Sequence, residues 1–280
     1  MSSNLEAPVA PGTPVGRTGT EGLRVAVLGL GEAGGAIADD LAAAGARVRG
    51  YDPRVPAPHG VVGTGSEAEA ATGSDLVLSV NSASDALDAL RAGLAGAAPG
   101  SLWADLNTAS PAAKRELCEV AARAGVAGFV DVSLMATVPG RGLRTPMLAS
   151  GPAARRFAEL LQPLGAQVDV LGGPAGLAAE RKLLRSVFYK GLAAAVVEAL
   201  EAARAAGCEE WLRQHIADEL TRADAATLDR LVDGSKRHAV RRTAELRAAA
   251  DMLDDLGVRP LMTEASRDLL LRLLSEEDAP

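Results

Sequence analysis

The sequence predicts an α/β chain in two parts: a parallel sheet wrapped by helices over residues 22–173, then an all-helical domain over 174–280. Three observations carry this. Strand-like and helix-like segments alternate from residue 23 to about 171, and such alternation means parallel strands joined by helical crossovers. Past Gly172-Gly173 no convincing strand follows, and helical periodicity dominates from Leu177 through Ala205 and again from Trp211 onward. Between the first strand and the first helix stands a glycine-rich turn, Gly29-Leu30-Gly31-Glu32-Ala33-Gly34.

The elements follow in order. Leu23 to Leu28 is short, mostly apolar and rich in β-branched residues, as a buried strand should be. Ala36 to Ala44 is a strong helix former that stops at Gly45, and Ala46 to Tyr51 reads as the next strand. Gly60-Val61-Val62 is a short strand candidate, followed by a small helix from Ser66 to Ala71. Strands are expected at 75–80 and 101–105, with a helix from about Ser84 to Leu94 between them. Ser110-Pro111 supplies an N-cap and an N1 proline for a helix reaching Arg123. Segments 128–132 and 146–149 continue the strands, and a helix from Ala153 to Leu161 precedes a strand at 167–171.

The glycine turn carries the sharpest functional signal. Gly29 permits a tight turn, Gly31 lets backbone approach a pyrophosphate, and Gly34 lets helix and strand pack closely. The N–H groups and positive dipole end of the following helix then face the phosphates. Strand before, helix after and an acid, Asp52, closing the next strand together make this a Rossmann dinucleotide fingerprint. Asp52 would accept hydrogen bonds from the adenosine 2′-hydroxyl and repel a 2′-phosphate; Arg54 could offset that repulsion. NAD is therefore favoured slightly over NADP.

Composition sets the remaining bounds. The chain has 280 residues, 48% of them hydrophobic but only 2% aromatic, so aliphatic and alanine packing must build the core. A net charge of −7 without any basic run argues against nucleic acid. Cys118 and Cys208 match no metal or redox spacing; they read as buried free thiols, and no metal site is expected. No apolar run reaches the roughly 18 residues that span a membrane. Residues 1–21, rich in Pro, Gly, Ser and Thr, read as a disordered tail on a cytoplasmic protein.

In a fold of this kind ligands bind beyond the carboxyl ends of the strands, where the strand order reverses. Asn81 and Ser82 follow a strand there and offer small polar groups to a nicotinamide ribose, or an N-cap to the next helix. The run Asp105-Leu106-Asn107-Thr108 reads equally as strand end and helix entry. Lys182 lies in the first turns of a long helix beside Arg181, Arg185 and Lys190; sequence physics alone leaves it a solvated lysine.

These residues together resemble the β-hydroxyacid dehydrogenase family, related to 6-phosphogluconate dehydrogenase. The fingerprint Gly29 to Leu41 is similar to that family's pattern, with Glu32-Ala33 where a pair ending in Met is usual. Gly176 to Lys182 has the spacing of its glycine-led catalytic helix, so the resemblance places Lys182 on the family's catalytic lysine. The stretch Arg237 to Arg242, with Glu245 and Leu256-Gly257-Val258, resembles a poorly characterised subfamily whose C-terminal domain has no known function. The family implies a homodimer and an NAD(P)-dependent oxidoreductase that moves hydride between nicotinamide and a small polar alcohol or carbonyl. Lys182 would be its general acid and base. Imine reduction on the same scaffold is the first alternative, kept open by Tyr189 and the altered substrate loop; a nucleotide-binding regulator without turnover is the second.

The departures fall in the substrate region. Met135-Ala136-Thr137 stands where the family carries a Ser-Gly-Gly that grips a carboxylate. Arg185 replaces the asparagine usual three residues after the lysine, and Ala244 falls where a second lysine is usual. His238, Arg241, Arg242 and Glu245 occupy i, i+3, i+4 and i+7, so a single helix face is expected to carry them. That face is either a salt-bridged surface or an anion site, with His238 and Arg242 taking over from the missing Ser-Gly-Gly to hold an anionic substrate group.

Overall fold

The computed structural model describes residues 22–126 and 128–277, so the tail expected at 1–21 lies outside the described residues. Eight strands form one sheet in the order β3-β2-β1-β4-β5-β6-β7-β8. They are β1 (Arg24–Leu28), β2 (Arg47–Tyr51), β3 (Val62–Gly63), β4 (Leu76–Ser79), β5 (Leu102–Asp105), β6 (Gly128–Leu134), β7 (Met147–Ser150) and β8 (Val168–Val170). The chain winds outward from β1 to β3, then restarts at β4 on the other side of β1. The reversal between β1 and β4 opens the crevice where such sheets take ligands.

Five helices accompany the sheet: α1 (Glu32–Ala43), α2 (Glu67–Ala71), α3 (Ala86–Leu94), α4 (Pro111–Arg123) and α5 (Ala154–Leu161). Alternation along β1 explains how both faces are covered, because successive side chains of a strand point to opposite sides. Val25 and Val27 pack with Ile37, Leu41 and Phe157, from α1 and α5. Ala26 and Leu28 pack with Ala70, Leu90 and Leu117, from α2, α3 and α4. Ser110 caps α4 as its sequence predicts, its hydroxyl accepting from the Ala113 N–H at 3.1 Å.

The sheet is not wholly parallel: β7 runs antiparallel to β6, with Asp131 opposite Ser150. Parallel strands need a helical crossover of a dozen or more residues. The β6–β7 connection holds only a 3-10 turn, Gly142–Arg144, tied down where the Leu143 N–H donates to Asp40 at 2.8 Å.

Beyond β8 come α6 (Leu177–Ala205), α7 (Glu209–Arg222), α8 (Ala225–Arg237), α9 (Ala239–Asp255) and α10 (Leu261–Glu277). The division into two compact units falls inside α6, between Leu183 and Leu184. Within the second unit α9 packs along α10. Buried Glu198 of α6 caps α10 by accepting from the N–H groups of Met262 and Thr263, at 2.6 and 2.8 Å. Cys118 is half-buried and Cys208 exposed, correcting the expectation of two buried thiols. Cys208 ends up at the surface because it precedes α7 as its N-cap instead of lying within the helix.

Candidate functional site

The three glycines of the first turn do separate work in the structure. Gly29 has φ +92°, and a side chain there would run into the Val80 carbonyl across the β1–β4 crevice. A side chain at Gly34 would overlap the Gly29 carbonyl. At Gly31 the same test meets open space, which leaves room for a ligand to approach the backbone. Gly31 is also the N-cap of α1, with no side chain capping the helix, so the α1 N–H groups are left for an anion. Glu32 lies in that first turn as the one acidic departure, with Ala33 behind it.

A cavity of about 400 Å³ opens at this point, lined by Gly29, Asp52, Arg54, Asn81 and Ser82 among others. Three segments far apart in sequence are thus brought together around one crevice. Leu30 anchors the turn: its side chain is buried, and its N–H donates to Asp52 Oδ2 at 2.8 Å. Asp52 Oδ1 accepts from the N–H groups of Arg54 and Val55, at 2.8 and 3.0 Å. Burial by itself would raise the Asp52 pKa. The N–H donors of Arg54, Leu30 and Val55, helped by the Arg54 charge, outweigh it and hold the carboxyl below its usual value. Ser82 is committed locally, donating to Asp85 Oδ2 at 2.7 Å ahead of α3, so its helix-entry role is visible alongside its place in the cavity.

Lys182, on the second turn of α6, is half-buried, and its Nζ donates to Thr108 Oγ1 at 2.8 Å. Thr108 follows β5. Leu28, Ser79 and Asp105 lie in register across β1, β4 and β5, so Thr108 and Asn81 leave the same carboxyl edge of the sheet. This places an amine on the side of the sheet where the crevice opens.

Beneath that edge runs a buried polar row that a residue-by-residue reading of the sequence misses. Lys114 of α4, Asp105 and Asp131 are all fully buried. Lys114 Nζ contacts Asp105 Oδ1 at 2.5 Å and Asp131 Oδ1 at 3.3 Å, and donates to the Asp105 carbonyl at 2.8 Å. Asp131 Oδ2 accepts from the Gly176 and Ala179 N–H groups at 2.9 and 3.1 Å, and from Ser150 Oγ at 3.1 Å. Ser150 Oγ accepts in turn from the Ala178 N–H at 3.0 Å. On the other side Asn107 donates to Asp105 Oδ2 and to Ser79 Oγ, and Ser79 donates to Asn81 Oδ1. A signal existed: Lys114 stands with Leu117 and Ala121 on the buried stripe of α4, where a lysine needs a partner.

The expected substrate residues belong to other segments of the chain. Met135, Ala136 and Thr137 start the β6–β7 connection, with the Met135 N–H donating to the Pro146 carbonyl at 2.8 Å. In the second unit Arg185 stacks over the Tyr189 ring at 4.3 Å, and Tyr189 is half exposed. His238 stands at the junction of α8 and α9, so the four residues do not share one continuous helix. Arg241 faces Glu245 at 3.7 Å, and Arg242 donates to Ser235 at 3.0 Å.

Residues 24–172 match the NAD binding domain of 6-phosphogluconate dehydrogenase, and residues 203–273 match a domain of unknown function (DUF1932). A solved conserved protein of unknown function, described as structurally similar to 3-hydroxyacid dehydrogenases, is 29% identical with a TM-score of 0.59. It aligns over 90% of this chain and 96% of its own. An imine reductase variant from Myxococcus stipitatus, in complex with NAD+, is 19% identical with a TM-score of 0.73 over 90% and 94% of the two chains. A reductive aminase from Aspergillus terreus, in complex with NADPH and ethyl levulinate, is 19% identical with a TM-score of 0.74 over 91% and 94%. The last two share the fold.

Proposed function

The chain belongs to the family of the NAD binding domain of 6-phosphogluconate dehydrogenase, and from that premise we propose an NAD(P)-dependent oxidoreductase acting on a small polar alcohol/carbonyl pair with Lys182 as general acid and base. The carrying observation is the Lys182–Thr108 hydrogen bond at the carboxyl edge of the sheet that also bears the Gly29–Gly34 turn. Bound nicotinamide supplies or accepts the hydride. The open α1 N-terminus and Gly31 would seat the pyrophosphate, with Asp52 at the adenosine ribose and Asn81 nearer the nicotinamide. The Lys182 ammonium would give its proton to the carbonyl oxygen as negative charge develops there, and retrieve it in the reverse direction. Thr108 Oγ1 orients that ammonium. Placed proton transfer of this kind contributes ~10²–10⁴ in rate.

The shared architecture of imine reductases and reductive aminases supports a second acceptor, a C=N bond, protonated at nitrogen instead of oxygen. A direct test offers the protein NADH or NADPH with glyoxylate, a small polar aldehyde, or with 1-pyrroline, a cyclic imine. Glyoxylate-dependent oxidation of the cofactor supports the carbonyl reading, and oxidation with pyrroline alone moves the assignment to imines. Tight cofactor binding with no turnover of either contradicts both.

Asp52 provides a separate expectation for the cofactor. Asp52→Ala removes an acceptor for three backbone N–H groups as well as the ribose partner, and losing a hydrogen bond to a charged group costs ~1.5–3 kcal/mol. NAD affinity should fall by tenfold or more, with a smaller loss for NADP, read by fluorescence titration of the reduced cofactors. Because the folded carboxyl titrates below its ordinary value, its contribution is present above about pH 4 and is lost as the pH drops through the folded pKa. Wild-type protein that binds NADP tenfold more tightly than NAD would shift the determinant to Arg54.

A further inference from the structure

The helix that carries Lys182 begins without any capping residue of its own. Gly173-Pro174-Ala175-Gly176 offers no Ser, Thr, Asp or Asn side chain for the first N–H groups of α6. Those groups are satisfied from the sheet instead. Asp131 takes Gly176 and Ala179, and Ser150 takes Ala178. Gly176 has φ +100°, and a side chain there would come 2.7 Å from the Pro111 carbonyl at the start of α4, so the helix start is held close to its neighbours.

We propose that Asp131, held at 3.3 Å by the buried Lys114 that also pairs with Asp105, is the positioning residue for Lys182: by gripping the first turn of α6 it fixes where the Lys182 amine stands against Thr108. The geometry gives a short mechanical path. Ala179, whose N–H Asp131 holds, precedes Lys182 by three residues, so it lies one helical turn below it on a neighbouring face. Asp105, which grips the same Lys114, ends the strand that leads into Thr108, the partner of Lys182. One buried cation thus ties together the two elements whose separation sets the Lys182–Thr108 hydrogen bond. A hydrophobic trio would hold the sheet together equally well without the desolvation cost of three buried charges, so packing alone does not account for their presence. Asp131's anionic oxygen also complements the positive end of the α6 dipole.

This inference rests on the reading of Lys182 as the proton donor, and its test separates the two. Asp131→Asn keeps the shape and removes the charge; Ser150→Ala is a milder loosening of the same grip, in case the first variant does not fold. Both are made in wild type and in a Lys182→Met background, with NADPH and whichever of glyoxylate or 1-pyrroline wild type reduces. A displacement of about 1 Å in a reacting group can cost ~10²-fold, so Asp131→Asn should lower kcat at least ~10-fold. KM for the acceptor and Kd for NADPH should stay within about twofold. Ser150→Ala should show the same pattern at about threefold. In the Lys182→Met background neither change should lower kcat further, because a positioning effect vanishes when the positioned group is gone. Undiminished kcat in both variants overturns the proposal, as does an equal loss in the Lys182→Met background, which would mark a general structural role. Wild-type kcat in Lys182→Met itself would instead overturn the functional reading beneath it.

Discussion

Lys182→Met should lower kcat at least ~10²-fold while NADH or NADPH still binds and the protein still melts cooperatively. Methionine keeps the length and flexibility of the lysine stem but cannot donate a proton or hydrogen-bond Thr108 as the ammonium does. Reduction of a carbonyl leaves charge on oxygen, and a donor already oriented by Thr108 can meet that charge without reorganising. Lys182 stands on α6, outside both the Gly29–Gly34 turn and the Asp52 loop, so cofactor affinity should stay within about twofold. Steady-state kinetics beside a fluorescence titration separate the two effects. A methionine variant with near-normal kcat would remove the lysine mechanism and point to Tyr189 or to water, and with it to imine reduction.

Lys114→Met should be the most destabilising single change in the sheet unit. The substitution leaves Asp105 and Asp131 fully buried, one beside the other in register, with no cation between them. Breaking a buried ion pair by removing one partner typically costs 3–5 kcal/mol, since the remaining charge stays desolvated. The exposed pair Arg123–Glu119 on the same helix offers the contrast: Glu119→Gln should cost roughly 0–1 kcal/mol. Denaturant titration followed by circular dichroism measures both. A loss under about 1 kcal/mol for Lys114→Met would mean that water or rearrangement solvates the two carboxylates, and that the cluster is not a clamp.

The contrast between those residues shows what the sequence could disclose. Gly29, Gly31, Gly34 and Asp52 were legible because what marks them is local backbone form: a positive φ, a close approach, the end of a strand. The boundaries of α4 and α6 were legible for the same reason, through a Ser-Pro start and an unbroken helical period. The antiparallel setting of β7 was not read, because strand direction depends on a connection whose 3-10 turn leaves no periodic trace. The row Ser79, Asp105, Asp131 and Ser150 was invisible for a stronger reason. Each is a single polar residue at or near the end of an apolar run, and only the register of four strands makes them one network. His238 failed as part of a continuous face because a helical period cannot reveal a one-residue break between α8 and α9.

Hydride transfer from a nicotinamide cofactor to a small acceptor, as proposed for this chain, can be followed by isotope labelling. The protein is incubated with NADH or NADPH carrying deuterium at both C4 positions of the nicotinamide, together with glyoxylate and 1-pyrroline, and the products are analysed by mass spectrometry. One deuterium should appear in the reduced acceptor, formed at a rate that falls at least ~10²-fold in Lys182→Met. Saturable cofactor binding with all deuterium retained on the nicotinamide, in wild type and variant alike, would contradict hydride transfer and leave a nucleotide-binding protein without turnover.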